Sequence, residues 1–175
     1  IKIGEQTIVL VRMGDQVRAY QGKCPHAGAP LAKGAICNGR LICPWHKAMF
    51  ELEDGSLSEP PALDGLRRYP AQILDGMILV DDQPMPAPAR DGCADPRSFV
   101  IIGAGAAGIA AASALREKGF GGALLLIDAE AQPGYDRTAL SKFVISGDMP
   151  PDEVPPLRDE SFYCDQHIQR IHARV

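Results

Sequence analysis

Two short motifs constrain this chain more than anything else in it. Cys24-Pro25-His26 reads C-x-H and Cys43-Pro44-Trp45-His46 reads C-x2-H, with sixteen residues between His26 and Cys43. Each motif brings one thiolate and one imidazole. A [2Fe–2S] centre in which two cysteines hold one iron and two histidines hold the other needs that set. Two loops, each giving one Cys and one His, can pinch such a cluster from both sides. Cys24, His26, Cys43 and His46 are therefore the candidate metal ligands. Zinc can use the same side chains, although zinc fingers usually pair Cys with Cys and His with His across a helix. Here the spacer 34–42 reads as a hairpin, because Asn38-Gly39 is a turn dipeptide between apolar runs. A Cys24–Cys43 disulfide would leave both histidines unexplained. Histidines that hold no metal are the remaining reading.

The totals set outer limits. The chain has 175 residues, 46% apolar and 23% charged, which suits a globular protein of one or two small domains. A net charge of −4 with no basic run argues against nucleic acid or an anionic membrane as partner. No apolar stretch reaches the roughly 18 residues of a membrane span. Five cysteines is an odd number, and with two assigned to metal, Cys37, Cys93 and Cys164 read as free thiols of a reducing compartment. That points to the cytoplasm, or to the mitochondrion in a eukaryote. No secretory signal is visible, and the chain opens on Ile1 without an initiator Met, as a fragment would.

Turn signals divide the first eighty residues into short strands. Runs 8–11 and 17–20 are β-prone and flank the turn Met13-Gly14-Asp15. A strand is expected over 50–55, and a last hairpin over 69–74 and 77–80 around Asp75-Gly76. This pattern predicts a small all-β domain over residues 1–80, with no helix of length before residue 104. Residues 81–98 carry prolines at 84, 86, 88 and 96 and read as an extended connector.

Residues 99–175 change period. A strand 99–102 leads into Gly103-Ala104-Gly105-Ala106-Ala107-Gly108, then a helix 109–118 ending at Gly119, then a strand 123–127 and the acids Asp128 and Glu130. G-x-G-x-x-G alone is weak. Between a strand and a helix, with an acid about 20 residues on, it predicts a dinucleotide site at the start of an α/β Rossmann-like domain. The glycines let the backbone approach a pyrophosphate, the helix N-terminus donates amides to it, and the acid bonds a ribose. Asp128 has the better generic spacing; Glu130 is the alternative. A third strand is expected within 168–175. His167 and His172 lack a partner pattern and are not assigned a metal.

Two resemblances follow from these residues. Cys-Pro-His-Ala-Gly-Ala-Pro-Leu at 24–31 and Cys-Pro-Trp-His-Lys-Ala-Met-Phe-Glu-Leu-Glu-Asp-Gly at 43–55 resemble the Rieske domains. The resemblance implies a small antiparallel β fold with the [2Fe–2S] cluster near solvent at its tip. High-potential members carry an extra disulfide, where this chain has Ala29 and Trp45, and hydroxyl donors, where it has Ala48 and Phe50. Fewer hydrogen bonds to the sulfurs imply a potential toward the low end of the Rieske range. Lys47 stands where the family usually has Gly.

The second resemblance sits at Gly134-Tyr135-Asp136-Arg137-Thr138-Ala139-Leu140-Ser141-Lys142. It is similar to the P-Y-D-R-P-x-L-S-K segment of FAD-dependent ferredoxin reductases and apoptosis-inducing-factor-like flavoproteins. That likeness implies FAD held by Gly103, Gly105, Ala107, Gly108, Arg137 and one acid, Glu130 by register or else Asp128. Lys142 is then the catalytic lysine that reaches the flavin. Gly134 and Thr138 replace prolines of the segment and imply a looser loop. No redox cysteine pair lies nearby, which argues against disulfide chemistry.

The order Rieske, connector, FAD half-domain resembles the apoptosis-inducing-factor-like proteins with an N-terminal Rieske domain. Those proteins continue into further FAD, NAD(P)H and C-terminal domains, so a fragment is expected. The implied function is an FAD-dependent oxidoreductase passing electrons from NAD(P)H to the cluster and on to, or from, a protein partner. The alternative is a non-catalytic electron-carrier or redox-signalling module.

Overall fold

The computed structural model describes residues 1–86 and 95–175. Residues 87–94, which include Cys93 and much of the expected connector, lie outside the described residues. The chain divides into two compact units, with the split between residues 89 and 90.

The strands of the first unit are β1 (Lys2–Ile3), β2 (Gln6–Met13), β3 (Gln16–Gln21), β4 (Ala35–Cys37), β5 (Arg40–Ile42), β6 (Met49–Glu51), β7 (Leu57–Glu59), β8 (Arg68–Tyr69), β9 (Ala71–Leu74) and β10 (Met77–Val80). They form a sheet β1-β2-β3-β8, a sheet β4-β5-β6-β7 and the hairpin β9-β10, all antiparallel. β2 shows why its sheet is covered on both faces. Side chains alternate across a strand, so Val9 and Val11 join the main core with Tyr20, Leu41, Phe50 and Leu52. Ile8 and Leu10 point the other way, against Ala71 and Val80 of the hairpin. Tyr20 is fully buried and its hydroxyl donates to the Leu52 carbonyl, joined there by the Arg18 guanidinium. That pair fastens the first sheet to the turn after β6.

The turn signals explain the boundaries, with two departures. The hairpin β4–β5 closes on Asn38 and Gly39, whose φ values of 48° and 75° make the left-handed pair that a two-residue turn requires. The expected strand 50–55 is shorter, because β6 ends at Glu51. The Leu52 N–H donates to the Gly39 carbonyl and the Gly55 N–H to the Glu51 carbonyl, so the chain turns at once. The expected strand 69–74 is split at Pro70, which has no N–H to donate. Tyr69 stays paired with β3 while Ala71–Leu74 pairs with β10.

The second unit holds β11 (Ser98–Ile102), α1 (Ala106–Glu117), β12 (Ala123–Asp128), α2 (Arg137–Ala139) continued by a π-helical turn Leu140–Val144, α3 (Glu160–Asp165) and β13 (Ile168–His172). Its strands run parallel in the order β11-β12-β13, as in one half of a doubly wound sheet. Ile109, Ala112, Ser113 and Arg116 form the buried stripe of α1 at helical spacing. The helix starts at Ala106, three residues before the expected Ile109, because Gly105 caps it and the Ile109 N–H already bonds the Gly105 carbonyl. It ends as expected at Gly119: the Phe120 N–H donates to Leu115 and the Gly119 N–H to Arg116, a Schellman closure.

Arg116 lies buried at that end of α1. Its guanidinium donates to the carbonyls of Phe120, Gly122, Gln166 and His167, at 2.7 to 3.0 Å. One side chain thereby ties the helix to the starts of β12 and β13.

Candidate metal centre and flavin site

The two ligand loops of the first unit share one design. Each leaves the sheet at a cysteine and closes on itself when that cysteine's N–H donates to the carbonyl five residues on. Cys24 donates to Ala29 and Cys43 to Ala48, both at 2.8 Å. Four residues after each cysteine the backbone is left-handed, at Gly28 (φ 73°) and Lys47 (φ 65°). Lys47, where a glycine was expected, therefore keeps the loop shape that a glycine would give. Its ammonium donates to the Pro44 carbonyl at 3.2 Å.

This repeated loop brings all four candidate ligands to one end of the unit in two pairs. The imidazoles of His26 and His46 are exposed and face each other, Nδ1 to Nδ1, at 3.1 Å, their rings perpendicular. Two nitrogens this close can both bond one ion at about 2.1 Å. Cys24 and Cys43 lie beneath, 3% and 1% exposed, side by side in the apolar core. Burial pushes the Cys24 thiol up, the neighbouring Cys43 adds to that, and the N–H groups of His26 and Ala27 directed at its sulfur pull the other way. The buried Cys24 thiol therefore resists ionisation until a metal takes the proton's place.

Among the described residues no three His, Cys, Asp or Glu side chains converge on one point. A mononuclear zinc site needs four donors around one ion. The four candidate ligands form a thiol pair and an imidazole pair, which is the donor set of a [2Fe–2S] cluster. Ala29 and Ala48 are buried at the loop bases and Phe50 is buried below them, so no hydroxyl stands at the positions 48 and 50. Trp45 is 56% exposed beside His46.

In the second unit the glycine loop lies at the C-terminal end of the parallel strands. The Gly103 N–H donates to the Ile127 carbonyl at 2.7 Å, holding the loop against β12. A Cβ on Gly108 would come 1.9 Å from the Gly103 carbonyl oxygen, so only glycine lets the helix start this close. Around Gly105 nothing lies within 4 Å of the same position, and no side chain caps α1. The first-turn amides, with exposed Ala107 among them, have no side-chain cap, and free helix N-terminal amides of this kind suit a phosphate. Glu130 and Arg137 are brought together, with a 2.7 Å ion pair between exposed side chains. The Asp128 carboxylate accepts the Ala129 N–H at the end of β12. Lys142 lies exposed on the π-helical turn. His172 bonds the Ala129 carbonyl.

Gly134 corrects one expectation. It does not loosen its loop. It is buried, and a Cβ there would lie 1.8 Å from the Ala104 carbonyl oxygen and 2.6 Å from Ile109 Cδ1. The Leu157 N–H donates to its carbonyl at 2.8 Å. Gly134 thus locks the 134–142 segment onto the glycine loop. Arg116 is the other residue the sequence did not single out, since a helical arginine ordinarily faces water.

Fold and site define a Rieske [2Fe–2S] domain followed by a nucleotide-binding α/β domain. Comparison with protein families agrees: a Rieske [2Fe-2S] domain matches residues 1–70 and a pyridine nucleotide-disulphide oxidoreductase domain residues 97–175. The chain is 31% identical over 78 residues to the anthranilate 1,2-dioxygenase ferredoxin subunit of Burkholderia cepacia, covering 45% of this chain and 72% of that one. It is 32% identical over 184 residues to apoptosis-inducing factor 3 of Mus musculus, covering 98% of this chain and 30% of that protein. It is 44% identical over 71 residues to the ferredoxin–NAD(+) reductase component of the Paraburkholderia xenovorans biphenyl dioxygenase system, covering 41% of this chain and 17% of that one. The chain belongs to the Rieske [2Fe–2S] family, joined here to a pyridine nucleotide-disulphide oxidoreductase domain. It spans about three tenths of the mouse protein's length. The Rieske domain implies a [2Fe–2S] cluster and the pyridine nucleotide-disulphide oxidoreductase domain FAD, and no helix among the described residues is long and apolar enough to cross a membrane.

Proposed function

We propose that the chain relays electrons between NAD(P)H-reduced FAD and the Rieske cluster, as part of an oxidoreductase that serves a protein electron partner. Bound flavin supplies the exchange of a two-electron donor for one-electron steps. The chain's own residues hold and shield the carriers. Cys24 and Cys43 bury one side of the cluster site while His26 and His46 leave the other exposed, so a partner can approach only from the histidine side. Gly103, Gly105, Ala107 and Gly108 offer backbone to the pyrophosphate. Glu130 or Asp128 takes the ribose, Arg137 helps hold the FAD, and Lys142 reaches the flavin. The observation that carries this reading is the coexistence on one chain of the paired Cys/His loops and an uncapped glycine-loop helix.

The first test is an EPR spectrum of the dithionite-reduced chain, with iron and acid-labile sulfide assayed on the same sample. A Rieske-type signal with two irons per chain supports it, and an EPR-silent chain containing zinc overturns it. NADH- and NADPH-dependent reduction of an artificial acceptor, by a protein extended to the length of the mouse relative, tests catalysis and nucleotide choice. The likeness to a dioxygenase ferredoxin subunit favours a second reading, an electron carrier without catalysis of its own; it predicts cluster EPR with no such reduction. We place the protein in a reducing compartment, cytoplasmic or mitochondrial, on the exposed free thiols of Cys37 and Cys164.

A further inference from the structure

The two ligand loops close with the same bond and the same left-handed residue, yet they differ in charge at that residue. The first loop puts Gly28 at its left-handed residue; the second puts Lys47 there. A lysine is a poor choice for that backbone, since a side chain at positive φ crowds the following carbonyl. Nothing in the closure requires it, because the Cys43 N–H to Ala48 bond repeats the Cys24 to Ala29 bond at the same length. What the lysine adds is an exposed cation on the second ligand loop. Its ammonium turns back on the loop and donates to Pro44, the residue between ligand Cys43 and exposed Trp45, while its backbone adjoins ligand His46.

We propose that Lys47 is a positioning residue that raises the reduction potential of the cluster by holding a positive charge on the second ligand loop. The inference rests on the cluster reading above. Reduction adds one electron to the cluster from a one-electron donor, reduced flavin in the relay or dithionite in the test, and makes and breaks no bond. The reduced centre carries one more negative charge, so a cation fixed beside it favours the reduced state. Lys47 thereby offsets part of what Ala48 and Phe50 withhold by offering no hydroxyl to the sulfurs.

The test is a spectroelectrochemical titration of the cluster-loaded chain and of K47M, K47G and K47R. At a fixed ambient potential near the midpoint, K47M and K47G should show a reduced-to-oxidised ratio about threefold lower, a shift of about 30 mV for a one-electron couple. K47R should stay with the parent chain. The parent's potential should fall as salt rises, because the charge is exposed and screened, and K47M should be flat. A K47M potential equal to the parent's overturns the proposal, as does a shift in K47G alone, which would trace the effect to backbone. If the variants fail to load iron, the parent's salt dependence still decides, a flat potential counting against the proposal. A parent chain without a Rieske EPR signal or sulfide fails earlier, at the cluster reading itself.

Discussion

Gly28 and Lys47 hold the same left-handed position in the two ligand loops, at φ 73° and 65°, each four residues beyond its cysteine. The equivalence makes the lysine a local strain. A non-glycine residue in this region costs about 1–2 kcal/mol, and glycine gives back about 0.5–1 kcal/mol through its freer unfolded chain. K47G should therefore stabilise the cluster-loaded first unit by about 0.5–1 kcal/mol, or about 2–8 °C in Tm. Thermal melts of the loaded protein check this. An unchanged or lower Tm would mean that the loop in solution does not hold Lys47 left-handed.

The buried thiol pair gives a prediction for metal removal. Cys24 and Cys43 belong to the same core cluster as Phe50 and Leu52. Because a metal that binds only the folded state stabilises it, chelation of the iron should lower the Tm of the first unit. C43S and H26A should each abolish the visible absorbance and the acid-labile sulfide. Retention of a full cluster in H26A would remove His26 from the ligand set.

That Cys24, His26, Cys43 and His46 would come together on two loops was legible in the chain, because a metal site would dictate both residue type and spacing. Turn chemistry made the hairpin at Asn38-Gly39 legible for the same reason, since few residues accept that backbone. The misread places lack such a local requirement. The end of β6 depends on the Leu52 N–H finding Gly39, thirteen positions away. Gly134 is demanded by a carbonyl at Ala104 that only the folded chain brings near. Arg116 looks like an ordinary helix-end cation until the fold brings the Gln166 and His167 carbonyls, fifty residues on, beside those of nearby Phe120 and Gly122.

Gly134 should be intolerant of the smallest addition. A Cβ 1.8 Å from the Ala104 oxygen forces the glycine loop or the 134–142 segment to move. Overpacking of this kind costs about 1–3 kcal/mol. G134A should destabilise the second unit by that amount in urea titration and weaken FAD binding, followed by flavin fluorescence. Parent-like stability would show that the two segments are not in contact.

Removing the Arg116 guanidinium should cost more. R116M keeps the buried stem but leaves up to four carbonyls without their donor, and each unsatisfied buried group costs about 1–3 kcal/mol before water relieves it. A loss of about 2–4 kcal/mol is expected in urea unfolding of the second unit, with only part regained in R116K, whose ammonium lacks the planar fork. A loss under about 0.5 kcal/mol, the range of ordinary surface changes, would contradict the buried clamp.

The choice between Asp128 and Glu130 can be made by separating stability from affinity. The Glu130–Arg137 pair is exposed on both sides, so it contributes about 0–1 kcal/mol and less in salt. E130Q should therefore fold as well as the parent. If Glu130 is the ribose acid, E130Q loses a charge-assisted hydrogen bond to the sugar, about 1.5–3 kcal/mol, and FAD affinity falls roughly tenfold or more. Asp128 already accepts the Ala129 N–H at the strand end, a bond that an amide oxygen also accepts, so D128N should leave stability and, on this reading, FAD affinity near the parent's. Titrating FAD into both variants, with a urea melt of each, decides between them. A D128N that folds normally but binds FAD more weakly than E130Q would move the ribose contact to Asp128 and leave Glu130 as the residue that orients Arg137.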